Sequence, residues 1–229
     1  MWSYKKYAGS FKPVVPFDPS KDRLYPFDFT SGNKELNPEK IADTETFARY
    51  IHSTLQASHC RYGFGGYGEH RTLYARSRHF DDGEEPRRLH LGIDIWGPAG
   101  TMVMAPRDGI VHSFAFNNHD SDYGATLILT HSLEGAGFHT LYGHLSLNSL
   151  KNLVPGKRVR GGEVIGEFGM RFENGNWPPH LHFQFIRDMQ GFEGDYPGVC
   201  KFSEKERWMD NCPDPDLLLQ MGRYIKVPG

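Results

Sequence analysis

Two histidines one residue apart, His180 and His182, lie in the stretch PPHLHFQF, directly after two prolines. Apolar residues alternate with them, and a period of two is typical of a half-buried β-strand. In such a strand His180, His182 and Gln184 share one face, and the two imidazoles are about 6.6 Å apart. At that distance one histidine could bind a metal ion while the other reaches an atom bound to the same ion. A surface strand that carries two histidines is the alternative interpretation.

A histidine and an aspartate four residues apart, His90 and Asp94, occur in the stretch RLHLGIDIW. A helix would put them on one face, but Gly92 and the Gly-Pro pair after this stretch disfavour a helix. In a straight strand they would be about 13 Å apart, so binding of one shared ion requires a bend between them. Gly92 is the residue that permits such a bend. A solvent-exposed histidine beside a turn aspartate is the alternative.

A further histidine, His144, follows Tyr142 in the strand-like stretch HTLYGHLS, where a structural role at a sheet rim is the alternative to a catalytic one. A His/Asp/His set without a fourth protein ligand is typical of catalytic zinc, which keeps one position open. Nitrogen and carboxylate ligands without thiolate also suit zinc. Additional histidines beside the ion could transfer protons and stabilise an oxyanion. This combination of residues predicts metal-assisted amide hydrolysis.

The composition of the 229 residues is that of a globular protein, 38% hydrophobic and 24% charged, with a formal net charge of −2. This balance gives no basic field for nucleic acid, and no apolar run approaches the length of a transmembrane helix. The N-terminus lacks the continuous apolar segment of a signal peptide. Three cysteines without CxxC spacing argue against a disulfide framework and a thiolate metal site. A Cys200–Cys212 disulfide is the alternative interpretation, and free thiols are favoured.

Three segments differ in their sequence patterns. Residues 1–60 are predicted to form an extended aromatic arm, up to about residue 36, and a helix over about 38–57 that begins at Asn37-Pro38. Residues 61–190 are predicted to form a domain of short strands separated by glycine turns. Residues 191–229 are predicted to be a C-terminal extension docked on that domain. The predicted fold class is therefore mainly β.

The motifs HLGID, TLYGHLS and PHLHF, in this order, resemble the three signatures of the lysostaphin-like (LytM-type) zinc endopeptidases, a family of peptidoglycan hydrolases. The spacers 94–109 and 154–166 are also similar to that family, and the resemblance covers about residues 88–187. It implies antiparallel, sandwich-like sheets around an open groove. It also implies one zinc ion per chain held by His90, Asp94 and His182, with His144 and His180 next to the metal-bound water. The choice of His182 over His180 as the ligand comes from the family alone.

The activity that this resemblance implies is cleavage of peptide bonds in peptidoglycan cross-links or bridges. A periplasmic or extracellular location is implied as well, although the lack of a signal peptide leaves a cytoplasmic one open. The alternative function is a catalytically inactive module of the same fold that binds cell wall or activates a separate hydrolase. Such modules lose ligands, whereas all five key positions are present here. A phosphocarrier-like domain with paired histidines is a third hypothesis, but it does not need the His90/Asp94 pair.

Residues 169–180, before the last motif, form a longer and bulkier loop than the glycine turn usual in the family. This loop is predicted to line the groove, so Trp177 and Arg171 are candidates for substrate selection. His70 and Arg71 are predicted to lie near the groove as outer contacts or carboxylate partners. Tyr142 is the remaining groove candidate, with packing favoured over a role as a catalytic donor.

The first 60 residues have no counterpart in the family pattern. We hypothesise that part of the arm packs beside the groove. Asn33 or Asn37 could then reach the ion, with helix capping favoured as the role of Asn37.

Overall fold

The computed structural model describes residues 4–7, 9–36, 38–71, 80 and 85–226. The helices found there are α1 (Pro38–Ala42), α2 (Thr44–Ser58), α3 (Lys205–Asn211) and α4 (Asp216–Leu219), with short 3-10 helices at Tyr4–Tyr7, Leu147–Leu150, Phe202–Glu204 and Met221–Tyr224. The strands are β1 (Leu24–Phe27), β2 (Tyr62–Gly65), β3 (Leu89–His90), β4 (Ile93–Trp96), β5 (Met102–Met104), β6 (Gly109–Asn117), β7 (Gly124–Leu133), β8 (Ala136–Leu145), β9 (Arg158–Val159), β10 (Val164–Glu167), β11 (His180–Ile186) and β12 (Val199–Cys200).

Eight of these strands form one open sheet in the order β1-β2-β4-β11-β8-β7-β6-β9, and two small sheets pair β5 with β10 and β3 with β12. The mainly β prediction is confirmed. The main sheet is mixed, because the N-terminal arm adds β1 parallel to β2 while the other neighbours are antiparallel. The sheet therefore combines an antiparallel centre with an edge supplied by the arm.

One face of the central strands forms the largest hydrophobic core. Leu181 and Phe183 of β11 pack there with Ile93 and Ile95 of β4, and each such fully buried side chain contributes about 1.5–3 kcal/mol. A slip of one residue would turn these side chains to the opposite face. The core therefore fixes the register of β4 and β11, and with it the positions of the polar residues between the apolar ones.

The N-terminal helix is interrupted where the sequence predicts one continuous helix. Asp43 has an extended backbone (φ −93°, ψ 110°) and its carboxylate accepts a hydrogen bond from Thr46 N, so it ends α1 and caps α2. Such a cap satisfies an amide that the first turn leaves without a helical partner. The predicted cap Asn37 lies outside the described residues. Phe47 of α2 packs against Phe29 and Trp96, so α2 covers part of the sheet face that carries Trp96 and Asp94.

The C-terminal extension is paired with earlier parts of the chain. Its strand β12 pairs with β3, and Ile225 bridges Leu24 of β1. The three cysteines are free and buried. Among the described residues, no helix has both the length and the apolar character needed to cross a membrane.

Candidate metal centre and active site

Three neighbouring segments bring the predicted ligands together. β11 lies next to β4 with His182 opposite Asp94. His90 ends β3, and the chain turns through Leu91 and Gly92 before β4 begins. The predicted bend between His90 and Asp94 is therefore present.

The physical role of Gly92 differs from the prediction. Its backbone is not among the glycines with positive φ, so conformational freedom is not what the position requires. A Cβ there would lie 2.7 Å from Phe183 O and 2.8 Å from Cε1 and Nε2 of His182. Gly92 is needed because β11 passes too close for any side chain.

Three potential ligand atoms converge at this point. His90 Nε2 lies 2.9 Å from His182 Nδ1 and 3.3 Å from Asp94 Oδ1, and His182 Nδ1 lies 3.1 Å from Asp94 Oδ1. All three residues are buried. Ligands about 2.0–2.1 Å from a tetrahedrally coordinated ion are about 3.3 Å apart, so the triangle has the size of one face of such a site.

The outer hydrogen bonds of both rings leave lone pairs at the centre of this group. His90 Nδ1 donates to Gly66 O at 3.1 Å, and His182 Nε2 donates to Gln184 Oε1 at 2.9 Å. Because a neutral imidazole carries one proton, His90 Nε2 and His182 Nδ1 are then both acceptors, as is the carboxylate. Three acceptors this close lack a donor among themselves, and a cation satisfies all of them.

The surroundings of His90 and Asp94 shift both pKa values downward. Burial, followed by the nearby Arg71, lowers the pKa of His90 to about 4, so the ring is neutral at pH 7. Burial alone would raise the pKa of Asp94, but His90 and Arg71 hold it well below its ordinary value. Neutral imidazole and ionised carboxylate are the protonation states that bind metals.

Arg71 connects Asp94 to the N-terminal arm. Its guanidinium contacts Asp94 Oδ2 and donates from Nε to Glu69 Oε2 at 2.7 Å. Glu69 Oε1 in turn accepts a hydrogen bond from Phe29 N at 3.0 Å. Arg71 therefore lies at the ligand group, where it holds one carboxylate oxygen and leaves the other facing the two histidines. His70 is exposed, with its ring 6.2 Å from that of Phe202, and is not at the group.

A second pair of histidines lies beside the first group. The rings of His144 and His180 are 4.1 Å apart. His144 Nδ1 donates to Asn174 O and His180 Nδ1 donates to Pro178 O, each at 2.8 Å. Both Nε2 atoms are therefore unprotonated. Burial lowers the pKa of His180 to about 4 and that of His144 well below its ordinary value, so both rings are neutral bases at pH 7.

A β-bulge turns His144 toward this site. The register between β7 and β8 shifts near Leu145, and His144 has a φ of +62°. An extra residue in a strand reverses the alternation beyond it. Tyr142 consequently points into the hydrophobic core on the other face of the sheet, where its hydroxyl is hydrogen-bonded to that of Thr140, whereas His144 faces the site. Of the two roles weighed for Tyr142, the structure places it in packing and not in the groove.

The site opens into a cavity of about 270 Å³ that His144, His180, Asp94 and His182 line. Trp177 is buried in its wall, as predicted for a groove residue. Arg171 is exposed and does not line it. Residues 171–175 form turns, and a role for Arg171 in substrate selection stays a prediction. Asn33 does not approach the ligand group: its Nδ2 donates to Asp28 O, and its Oδ1 accepts a hydrogen bond from Glu35 N. Asn37 lies outside the described residues.

Several residues at the site were not predicted from sequence. Trp96 stacks on His180, with ring centroids 3.9 Å apart, and strand alternation from Asp94 could have placed it on this face. Tyr123 brings its hydroxyl within 3.4 Å of His182 Nε2, and residues 195 and 197–199 line the cavity. No local pattern marks Tyr123 or this segment, since both reach the site only through the fold.

A cavity in which two neutral histidines lie beside a buried His/Asp/His group has the residue types that metal-assisted hydrolysis requires. Residues 88–193 match Peptidase family M23, and this segment is a peptidase M23 domain.

Named relatives share this segment. The DD-carboxypeptidase/endopeptidase Mpg of Neisseria meningitidis is 39% identical over 97 residues, which cover 42% of this chain and 20% of that protein. The peptidoglycan DD-endopeptidase ShyC of Vibrio cholerae is 32% identical over 110 residues, covering 44% of this chain and 23% of that protein. The aligned region therefore spans about a fifth of the length of these relatives.

Among solved structures, the catalytic domain of lysostaphin from Staphylococcus simulans is 21% identical, with 72% of this chain and 98% of that chain covered and a TM-score of 0.40. A zinc-containing peptidase from Vibrio cholerae is 28% identical, with 43% and 27% covered and a TM-score of 0.34.

Proposed function

We propose that the protein is a zinc-dependent endopeptidase that hydrolyses peptide bonds in peptidoglycan cross-links or bridges. One zinc ion per chain would be held by His90, Asp94 and His182. The observation that carries this proposal is the convergence of three buried acceptor atoms, with edges of 2.9–3.3 Å, beside two further histidines.

The donor set favours zinc over softer and harder ions. Two imidazole nitrogens and one carboxylate oxygen suit a borderline ion, whereas calcium and magnesium prefer oxygen ligands. Three protein ligands leave a coordination position open, as catalytic zinc requires. When bound, zinc would polarise the scissile carbonyl and lower the pKa of water.

His144 and His180 would perform the proton transfers. Each carries its proton on Nδ1, where a backbone carbonyl accepts it, so the lone pair on Nε2 is available to accept a proton. One ring would take the proton of the attacking water, and protonated imidazole would return a proton to the leaving amine. The stacking of Trp96 on His180 restrains that ring, which favours a fixed direction of transfer.

The cavity and the relatives together support a peptide substrate from cell wall. Its wall combines aromatic residues, Trp177 and Tyr123, with Arg87 and Asp122 of opposite charge. Such a wall suits an extended peptide with both apolar and charged groups. The relatives with the same domain carry names that refer to peptidoglycan or to DD-endopeptidase activity.

Metal analysis and product analysis test the proposal together. The purified protein should contain about one zinc per chain, and Asp94→Ala and His182→Ala should lose it. His144→Ala and His180→Ala should keep the zinc and lose most turnover of defined muropeptides or glycine oligomers, with products read by mass. Zinc retained without any cleavage in the unmodified protein would instead favour an inactive wall-binding module.

A further inference from the structure

Gln184 is a buried residue of β11 on the same face as His180 and His182, and it has no direct contact with the cavity. Its Oε1 accepts the hydrogen bond from His182 Nε2 at 2.9 Å. Its Nε2 donates to Pro197 O at 3.0 Å and to Cys212 Sγ at 3.2 Å. Because a carbonyl oxygen can only accept, Pro197 fixes which end of the amide faces His182.

The orientation of this amide decides the state of the His182 ring. With an oxygen in front of it, Nε2 must carry the proton, and Nδ1 keeps the lone pair that faces His90 and Asp94. If the proton moved to Nδ1, the atom 3.1 Å from Asp94 Oδ1 could no longer bind a cation. Outer hydrogen bonds of this kind orient metal-binding histidines and raise their basicity.

The groups that hold Gln184 lie beyond residues 88–193, the segment that matches the peptidase family. Pro197 and Cys212 both belong to the C-terminal extension. The same extension approaches the ring directly at Gly198, where a Cβ would overlap the Tyr123 hydroxyl and lie 3.4 Å from His182 Cε1. The extension is therefore packed around the far side of one ligand of the metal group.

We propose that Gln184 is a positioning residue for the metal centre, and that the C-terminal extension completes the centre by fixing the Gln184 amide. This inference rests on the proposed function, because it concerns the group assigned there to zinc. It explains why a segment outside the matched domain is buried against β3 and β11.

The test is the zinc dissociation constant, measured at pH 7.5 by competition with a chelating dye in the full chain. Gln184→Met has a similar volume but no acceptor, and we expect zinc binding to weaken by about 10–100-fold. Gln184→Glu keeps an acceptor oxygen, so we expect zinc binding at least as tight as in the unmodified protein. Thr140→Val is the matched control, because it removes the hydroxyl partner of another buried histidine, His131, which is outside the metal group.

These outcomes distinguish a failure of this inference alone from a failure of the proposed function. If Gln184→Met binds zinc as tightly as both Thr140→Val and the unmodified protein do, Gln184 has no positioning role and the proposed function stands. If the unmodified protein binds no zinc, both proposals fail. Thermal unfolding in excess chelator shows whether each variant is folded. Should Gln184→Met not fold, Gln184→Glu decides alone, and a tenfold loss of zinc affinity in that folded variant would overturn the inference.

Discussion

The substitution Gly92→Ala should damage both the fold and the metal group. Gly92 lies between β3 and β4, directly against β11. The added Cβ would stand 2.7 Å from Phe183 O and 2.8 Å from two atoms of the His182 ring. The first of these is a backbone atom in the centre of the sheet, so it cannot move away as a flexible side chain would.

The size of the effect follows from these distances. An ordinary contact requires at least 3.4 Å, so the turn and β11 must separate by roughly half an ångström or more. Overpacking of a buried site costs about 1–3 kcal/mol. In a protein of this size each kcal/mol lowers Tm by about 2–4 °C, which gives an expected decrease of about 2–12 °C. The same separation pulls His182 away from His90 and Asp94, so zinc binding should weaken too.

The measurement is thermal unfolding with excess chelator and with excess zinc, together with bound zinc per chain. Gly137→Ala is the matched control, because a Cβ there meets only His131 O, at 4.0 Å, and Gly137 is also not at positive φ. We expect that variant to keep its Tm within about 2 °C and its full zinc content. A Gly92→Ala protein with unchanged Tm and zinc content would refute the argument from close approach.

Three further predictions concern parts of the chain around the site. Phe29→Ala should destabilise the fold by about 3–5 kcal/mol in chemical denaturation, because the ring is buried and its centroid lies 5.4 Å from that of Trp96. The control is Phe172→Ala, at a position that is 70% exposed, which should change the free energy of unfolding by less than about 0.5 kcal/mol. Burial lowers the pKa of His131 from its ordinary 6.5 to about 4, so the unfolded chain binds this proton at a higher pH than the folded protein does. The contribution of the buried neutral ring to the free energy of unfolding is therefore present above pH 6.5 and is lost as pH falls toward 4. At about 1.4 kcal/mol per tenfold change in the protonation equilibrium, His131→Gln should reduce the loss of stability over this range by about 3 kcal/mol, and parallel stability curves would contradict this. Zinc at 100 times its dissociation constant should stabilise the fold by about 2.7 kcal/mol, and Asp94→Ala should show no difference in Tm between zinc and chelator.

The local sequence was sufficient for the parts of the site that depend on strand periodicity. The alternation around residues 180–185 placed His180 and His182 on one face, and the strand β11 has that alternation. The bend between His90 and Asp94 followed from a distance argument, because a straight strand would have kept the two residues apart. These features are properties of neighbouring residues, so the sequence determines them locally.

Other positions depend on contacts between residues far apart in the chain. The bulge that separates His144 from Tyr142 is a mismatch between β7 and β8, and no pattern within β8 alone reveals it. The need for glycine at 92 comes from the passing strand β11, not from the local backbone angle.

The sequence alone thus predicted the mainly β fold and a group of histidines and an aspartate able to bind a metal ion, because alternation and residue chemistry are properties of neighbouring residues, whereas the choice of His182 over His180 came from the family resemblance. Only the tertiary structure decided how those residues are oriented. Arg71 holds Asp94 from the N-terminal side, and Gln184 holds His182 through Pro197 in the C-terminal extension. These contacts join residues that are distant in sequence, and they exist only once the sheet has brought them within hydrogen-bonding distance.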